Sequence, residues 1–238
     1  MEDFFIQNKS LITRAFEILS ALIGIILFNK YRLTSAKYFI YFLVYVFLVD
    51  FIGDYPNHFN NYDFLNEFQS LVHDTKYEHN IWWFTLFWDI GAVLFFAFYY
   101  IKILKNSLYK KIINYCSIIF IIYIIYYFSV YWNDLFVISI PIICVLGGII
   151  ILLCVILYFI EILLSENVVT FYKSLNFYIS VAIFIWWLIV TPLTFYDIYN
   201  STSDWNFVFF KWQIYLFANI FMYSTFSVGL IISNPEND

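Results

Sequence analysis

Carboxyl groups set inside apolar stretches are the residues of this chain best placed to do chemistry. Glu17 falls within the first of seven apolar runs, Asp50 and Asp54 close the second, Asp89 lies within the third and Asp197 ends the sixth. Asp50 and Asp54 are four residues apart and so share one helix face. Asp89 lies eight residues into its run, which at about 1.5 Å of rise per residue is a depth of about 12 Å. A charge at the centre of a bilayer costs about 3 kcal/mol on insertion scales, so acids persist there where water, a partner or a ligand relieves them. Acids at matching depth on different helices predict a shared polar pocket open to one side. Glu17, Asp50 and Asp89 are expected to face the bundle interior and line it. The alternative is that each acid is satisfied separately, Glu17 by Arg14 one turn away and Asp54 and Asp197 by interfacial water. Glu161, near the far end of the fifth run, is expected to be a solvated helix end.

The seventh run adds Asn219, Tyr223 and Ser227 at four-residue spacing, with Tyr215 a turn earlier. Such a stripe either hydrogen-bonds a neighbouring helix or forms one wall of a cavity. The candidate ligand or proton-binding pocket is therefore Glu17, Asp50, Asp54, Asp89, Asn219 and Tyr223. No catalytic residue is assigned, because no nucleophile stands with a base, and no cofactor is expected. His58, His73 and His79 share a polar joint with Asp63, Glu67, Asp74 and Glu78. Imidazole and carboxylate are good zinc ligands. The spacing gives no His-Glu-x-x-His arrangement, so solvated loop residues and no metal are expected. The seven-helix hydrolases that resemble ceramidases need histidines within their helices, and this chain has none there. A retinal Schiff base needs a lysine midway along the last helix, whereas Lys211 stands at its start. Small seven-helix sugar transporters carry Pro-Gln loops, which are absent here. Cys116, Cys144 and Cys154 all lie in apolar runs and read as packing residues.

The elements that must position these groups follow from hydropathy. The chain has 238 residues, 63% hydrophobic and 12% charged, and a mean hydropathy of +0.80. Soluble domains carry about 25% charged residues. The runs occupy about residues 11–28, 36–53, 81–104, 112–131, 136–164, 176–196 and 209–232, each near the ~20 residues that a membrane helix needs. They leave no room for a separate soluble domain. The expected fold is all-α: a single seven-helix transmembrane bundle. Strands are rejected because the runs are continuously apolar and twice the length of a barrel strand. The fifth run is longer than a span and is expected to tilt or protrude. Pro192 is expected to kink the sixth run near one end. Gly147 and Gly148 offer the fifth a point of close approach. The aromatic-rich joint from Asp54 to Asn80 is expected to be ordered by packing, with a short helix at the interface.

Basic residues orient the bundle. Lys30, Arg32, Lys37, Lys102, Lys105, Lys110, Lys111 and Lys173 fall on one side of a seven-span chain; Lys9, Arg14, Lys76 and Lys211 fall on the other. The larger group marks the cytoplasm, which puts the N-terminus outside and the C-terminus inside. Trp82, Trp83, Trp88, Trp132, Trp205 and Trp212 then lie at or near outer helix ends, and only Trp186 and Trp187 sit mid-span. The acidic start, Met1-Glu2-Asp3, predicts no cleavable leader. A net charge of −5 argues against a nucleic-acid partner.

The stretch Phe16–Gly24, the Lys37-Tyr38-Phe39 start of the second run and Asn80-Ile81-Trp82-Trp83 resemble small multi-span bacterial inner-membrane proteins of no assigned function. The resemblance implies a bacterial inner membrane and transfers no functional residue. The leading expectation is a non-enzymatic protein of the lipid bilayer. It binds or senses a small molecule, ion or lipid, or serves as a membrane subunit of a larger assembly. With so little chain in the cytoplasm, a signal must pass to a membrane or cytoplasmic protein partner. The alternatives are a transporter or proton-coupled carrier that uses Glu17, Asp50 and Asp89, and a lipid-modifying enzyme with paired carboxylates.

Overall fold

Helix follows wherever the apolar runs predict it, and among the described residues there is no strand. The structure is a computed structural model. It describes residues 2–61, 65–165, 170–199 and 205–235, without the side chains of 2–7, 60, 61, 66, 195–199 and 206. The helices are α1 (Glu2–Ile26), α2 (Phe28–Tyr31), α3 (Ala36–Gly53), α4 (Tyr55–Asn61), α5 (Asn66–Val72), α6 (Ile81–Phe84), α7 (Gly91–Ile103) and α8 (Ser107–Val130). They continue with α9 (Asp134–Val137), α10 (Pro141–Leu163), α11 (Leu175–Tyr199) and α12 (Trp205–Ile232). A π-helical segment, Thr85–Ile90, joins α6 to α7, so that Ile81–Ile103 forms one span.

Six helices are long and apolar enough to cross a membrane: α3, the Ile81–Ile103 span, α8, α10, α11 and α12. This fits a multi-pass membrane protein whose apolar faces meet lipid. α8 carries the clearest such face, with Ile119, Ile122 and Ile125 exposed by 67%, 61% and 64%. α1 does not join the six, because Lys9, Arg14 and Glu17 fall within its length. It nevertheless lies along α12 in the same direction. Near the start of both helices, Lys9 Nζ stands 2.9 Å from the centre of the Trp212 ring. At the far end the Tyr31 hydroxyl donates to the Leu230 carbonyl at 2.8 Å, and Lys30 Nζ donates to the carbonyls of Leu230 and Ile231 at 3.2 Å each. The last carbonyls of α12, which no helix amide can reach, are thus met by the chain that leaves α1.

The core is aromatic in its middle layer. Phe42 stacks on Phe95 at 4.0 Å between ring centres, and Phe39 meets Phe226 edge-on at 4.8 Å. Small residues let the helices close on this layer. A Cβ on Gly147 would lie 2.5 Å from the Val93 side chain, and one on Gly148 would lie 2.7 Å from Thr191 Oγ1.

Several sequence expectations require correction. The first helix begins at Glu2, well before the apolar run at residue 11. α8 begins at Ser107 rather than near residue 112, because the Asn106 side chain accepts the Leu108 amide at 2.9 Å and caps it ahead of Lys110 and Lys111. The fifth run is not one long helix from Phe136. Ile138 and Ile140 leave helical geometry, and Pro141 restarts the chain in the first turn of α10. α11 reaches Tyr199 rather than ending near residue 196, with Pro192 inside it. The joint after α3 holds two short helices, α4 and α5, rather than one; Tyr62, Asp63 and Phe64 lie outside the described residues. In that joint the Tyr55 hydroxyl donates to the carbonyls of Tyr77 and His79, the latter at 2.9 Å. Trp82 Nε1 donates back to Tyr55 at 3.3 Å.

Glu161 is not left to solvent. Its carboxylate accepts the amides of Lys105 at 2.7 Å and Asn106 at 2.8 Å, and so holds the turn that leads into α8. Glu161→Ala should lower stability by about 1–2 kcal/mol, the worth of charge-assisted hydrogen bonds at an exposed site. Glu161→Gln should recover part of the loss, since an amide oxygen still accepts one N–H. Thermal unfolding of the purified protein in detergent checks both. Equal midpoints for wild type and the alanine variant would show that the turn stands without it.

Candidate functional site

The first half of α1, the end of α3, the π segment, the start of α10, the middle of α11 and the first part of α12 surround a recess in the bundle. Its deep part is a cavity of about 290 Å³, with Asp50, Asp89, Asn219 and Tyr223 among its walls. A second space of about 310 Å³ shares Thr13, Asp50, Phe84, Tyr215 and Asn219 with it and adds Lys9, Arg14, Asp54 and Trp212. The shared walls make the second space a vestibule to the first.

Each acid owes its place to a local cause. Asp50 lies in the last turn of α3, and Asp54 is the residue that ends that helix. Asp54 forms an ion pair with Arg14 and accepts Asn57 Nδ2 at 2.5 Å. Arg14 therefore does not stand as the ion-pair partner of Glu17, as helical spacing suggests. Its long side chain leans toward the start of α1, as helical side chains do, and meets the end of α3 there. Glu17, one turn deeper, is 1% exposed. Neither of its oxygens receives a hydrogen bond from an amide, hydroxyl or basic group among the described residues. Its polar neighbour is the Asp50 carboxyl, near enough to hydrogen-bond it when one of the two is protonated. Such a bond between two carboxyls holds only while one of them carries a proton, because an ionised carboxylate accepts and cannot donate. Glu17 thus stands behind Asp50 rather than on the cavity wall.

Asp89 belongs to the π segment. A π turn leaves backbone groups poorly paired and is often found at functional sites. Here the Tyr45 hydroxyl donates to the Phe87 carbonyl at 2.6 Å. Gly91 permits that approach, for a Cβ on it would lie 2.7 Å from the hydroxyl oxygen. Trp88 and Asp89, consecutive in the segment, both line the cavity. Among the described residues no hydrogen-bond donor meets the Asp89 carboxyl. Loss of the anchor should be felt at this acid: Tyr45→Phe should cost about 1 kcal/mol of stability and change the fluorescence of the adjoining Trp88. An unaltered spectrum and midpoint would count against the anchor.

Sequence reasoning missed the rest of the wall. Trp186 and Trp187 enter from α11, and Trp88 faces them, at a deeper level than its place near an outer helix end suggested. Trp88 and Trp186 meet edge-on at 6.0 Å, and Trp186 and Trp187 at 5.0 Å. Trp186 Nε1 donates to Asn219 Oδ1 at 2.7 Å, which fixes the indole and engages the α12 stripe. The available signal was the mid-span position of Trp186 and Trp187, away from the interface that indole prefers. Below the tryptophans, Phe42, Leu43, Phe96, Ile183 and Phe226 close the floor with apolar side chains.

The histidines stand apart from this site. His58 meets the Phe51 carbonyl at 2.9 Å, and His73 pairs with Asp74 at 3.0 Å. Among the described residues no three His, Cys, Asp or Glu side chains gather as metal ligands. The three cysteines are free, and Cys144 alone of them lines the cavity. The Asp197 side chain lies outside the described residues. The chain matches no family model, no curated protein and no solved structure.

Proposed function

We propose that this chain is a seven-span bacterial inner-membrane protein, N-terminus outside and C-terminus cytoplasmic, that binds a small ligand from the outer side. It acts without catalysis, as a binding or sensing protein or as the membrane subunit of a larger assembly, and its bound state is read by a protein partner. The observation that carries this reading is the recess itself: Asp50, Asp89 and Asn219 from three different spans on one cavity, with a vestibule at Lys9, Arg14 and Asp54. Residues that were independent along the sequence converge there, and the apolar floor favours binding over passage through the bundle. The seventh span is α1. It lies along α12 from Lys9 to Tyr31, and its charges face Asp50 and Asp54 of α3 instead of lipid. The split of basic residues supports the orientation.

Two measurements test it. A reporter fused after Asp238 should be active only in a cytoplasmic format; periplasmic activity would overturn the orientation or the span count. In a cysteine-free background, Thr13→Cys should react with a membrane-impermeant maleimide added from outside, since Thr13 lines both the vestibule and the cavity. Labelling only after solubilisation would defeat the outward opening.

A further inference from the structure

We infer that the ligand of this cavity is a small organic cation, an amine or quaternary ammonium, held between Asp89 and the indoles of Trp88 and Trp186. The inference rests on the outward-facing cavity proposed above and names the class of molecule that it takes.

The charge of the wall comes first. Among the described residues, the deep cavity is lined by two carboxyls, Asp50 and Asp89, and by no lysine, arginine or histidine. Among the described residues the basic groups that line the recess are Lys9 and Arg14, and both are engaged in the vestibule, Lys9 on the Trp212 ring and Arg14 on Asp54; Lys211 stands 5.9 Å from the Tyr215 ring but lines neither space. An anion would meet carboxylates there with no cation to balance it. Asp50 already has Glu17 as a partner, whereas Asp89 has no donor among the described residues. Asp89 is therefore the acid left for a ligand.

The aromatic character of the wall narrows the class. Phe84, Trp88, Trp186, Trp187, Tyr215 and Tyr223 line the same space. Trp88 stands nearly perpendicular to Trp186, at 81°, and Trp186 to Trp187, at 80°. Indoles that share a wall with a carboxylate attract a cation through a ring face and desolvate its apolar substituents. The bond from Trp186 to Asn219 sets one of these walls in place before anything binds. A bare inorganic cation fits less well: among the described residues no three His, Cys, Asp or Glu side chains gather as metal ligands, and half of the wall is aromatic. The volume, about 290 Å³, lies at the lower end of the about 300–1,000 Å³ of small-molecule sites. It suits an ammonium with few substituents better than a peptide or a nucleotide.

The experiment uses the full chain in right-side-out membrane vesicles, cysteine-free except for Thr13→Cys. Two methanethiosulfonate reagents of similar size, one a trimethylammonium and one a sulfonate, are compared, each rate normalised to a free thiol. The cationic reagent should react about tenfold faster or more, and Asp89→Asn should remove most of that preference. Millimolar choline or tetramethylammonium should slow the labelling and shift the tryptophan fluorescence. The neutral carbon isostere of choline, 3,3-dimethylbutan-1-ol, should do neither. Trp88→Leu, which leaves the acid in place, should weaken choline protection several-fold. Equal rates for the two reagents, or equal protection by choline and its neutral isostere, would overturn the cation class while leaving the cavity standing. Choline protection untouched by both Asp89→Asn and Trp88→Leu would overturn the assigned site. If neither reagent reaches Cys at position 13 in vesicles but both react after solubilisation, the outward-facing cavity itself fails.

Discussion

Asp50→Ala should destabilise the protein by about 3 kcal/mol, whereas Asp50→Asn should leave it close to wild type. The difference lies with Glu17. Its carboxyl is buried beneath Asp50 and receives no hydrogen bond from an amide, hydroxyl or basic group among the described residues. Removal of the Asp50 side chain leaves Glu17 stranded, and a buried polar group without a partner costs about 1–3 kcal/mol, more when charged. Asparagine keeps the shape and offers an N–H that the Glu17 oxygen can accept. Glu17→Gln should be tolerated for the same reason in reverse, because its amide can donate to Asp50. The double variant Asp50→Ala with Glu17→Leu should be more stable than Asp50→Ala alone, since both polar partners leave together. Thermal unfolding in detergent, read by monodispersity on size-exclusion chromatography, checks the series. Equal losses for alanine and asparagine at position 50 would remove the carboxyl pair from the account.

Gly148→Val should prevent a stable bundle from forming. A Cβ at this position would lie 2.7 Å from Thr191 Oγ1 and 2.8 Å from the Trp187 ring. Trp187 is 3% exposed and packed against Trp186, so it cannot swing aside. Relief requires α10 and α11 to separate, and overpacking of a tight contact costs about 1–3 kcal/mol even for one added group. Gly148→Ala should therefore fold with a lowered midpoint, and valine, with two further methyl groups, should reach the membrane poorly. Gly24→Ala is the control. There the nearest atom would be an Ile40 methyl at 3.2 Å, which must give by only a few tenths of an ångström, and the loss should be smaller than for Gly148→Ala. Expression of Gly148→Val at wild-type level with an unchanged midpoint would show that the α10–α11 contact is looser than the distances imply.

Hydropathy made the helical class legible, because every backbone polar group in an apolar run must be satisfied within the run. It also singled out Asp50 and Asp89, whose burial is costly wherever they point. What it could not supply was direction. Periodicity along α1 sets Arg14 one turn from Glu17, yet the partner of Arg14 is Asp54, 40 residues further along the chain at the end of another helix. The division of the fifth run at Ile138–Ile140 was masked by apolar side chains that read alike in helix and in extended chain; only Pro141 marked it. The π segment left no compositional trace at all. Its identity rests on Tyr45 and Gly91, one on another helix and one after the segment. The tryptophan wall was hidden by its own chemistry: indole is expected at the interface, so Trp88 read as an anchor. α1 lacks an adequate apolar window because three charges interrupt it, and those charges meet groups on its neighbours.

The pairing of α1 with α12 also fixes the order in which this protein can be finished. α1 leaves the ribosome before α3 and α12, and Arg14 and Glu17 make it a poor guest for lipid while it stands alone. Its charged side chains gain Asp50 and Asp54 when α3 emerges. Its other flank, closed by Tyr223, 4% exposed beside Glu17, and by the clasp of Lys30 and Tyr31 on Leu230, waits for α12. Until then the nascent bundle holds an unsealed polar seam, so a chain halted short of α12 should be a substrate for membrane quality control rather than a partly working protein.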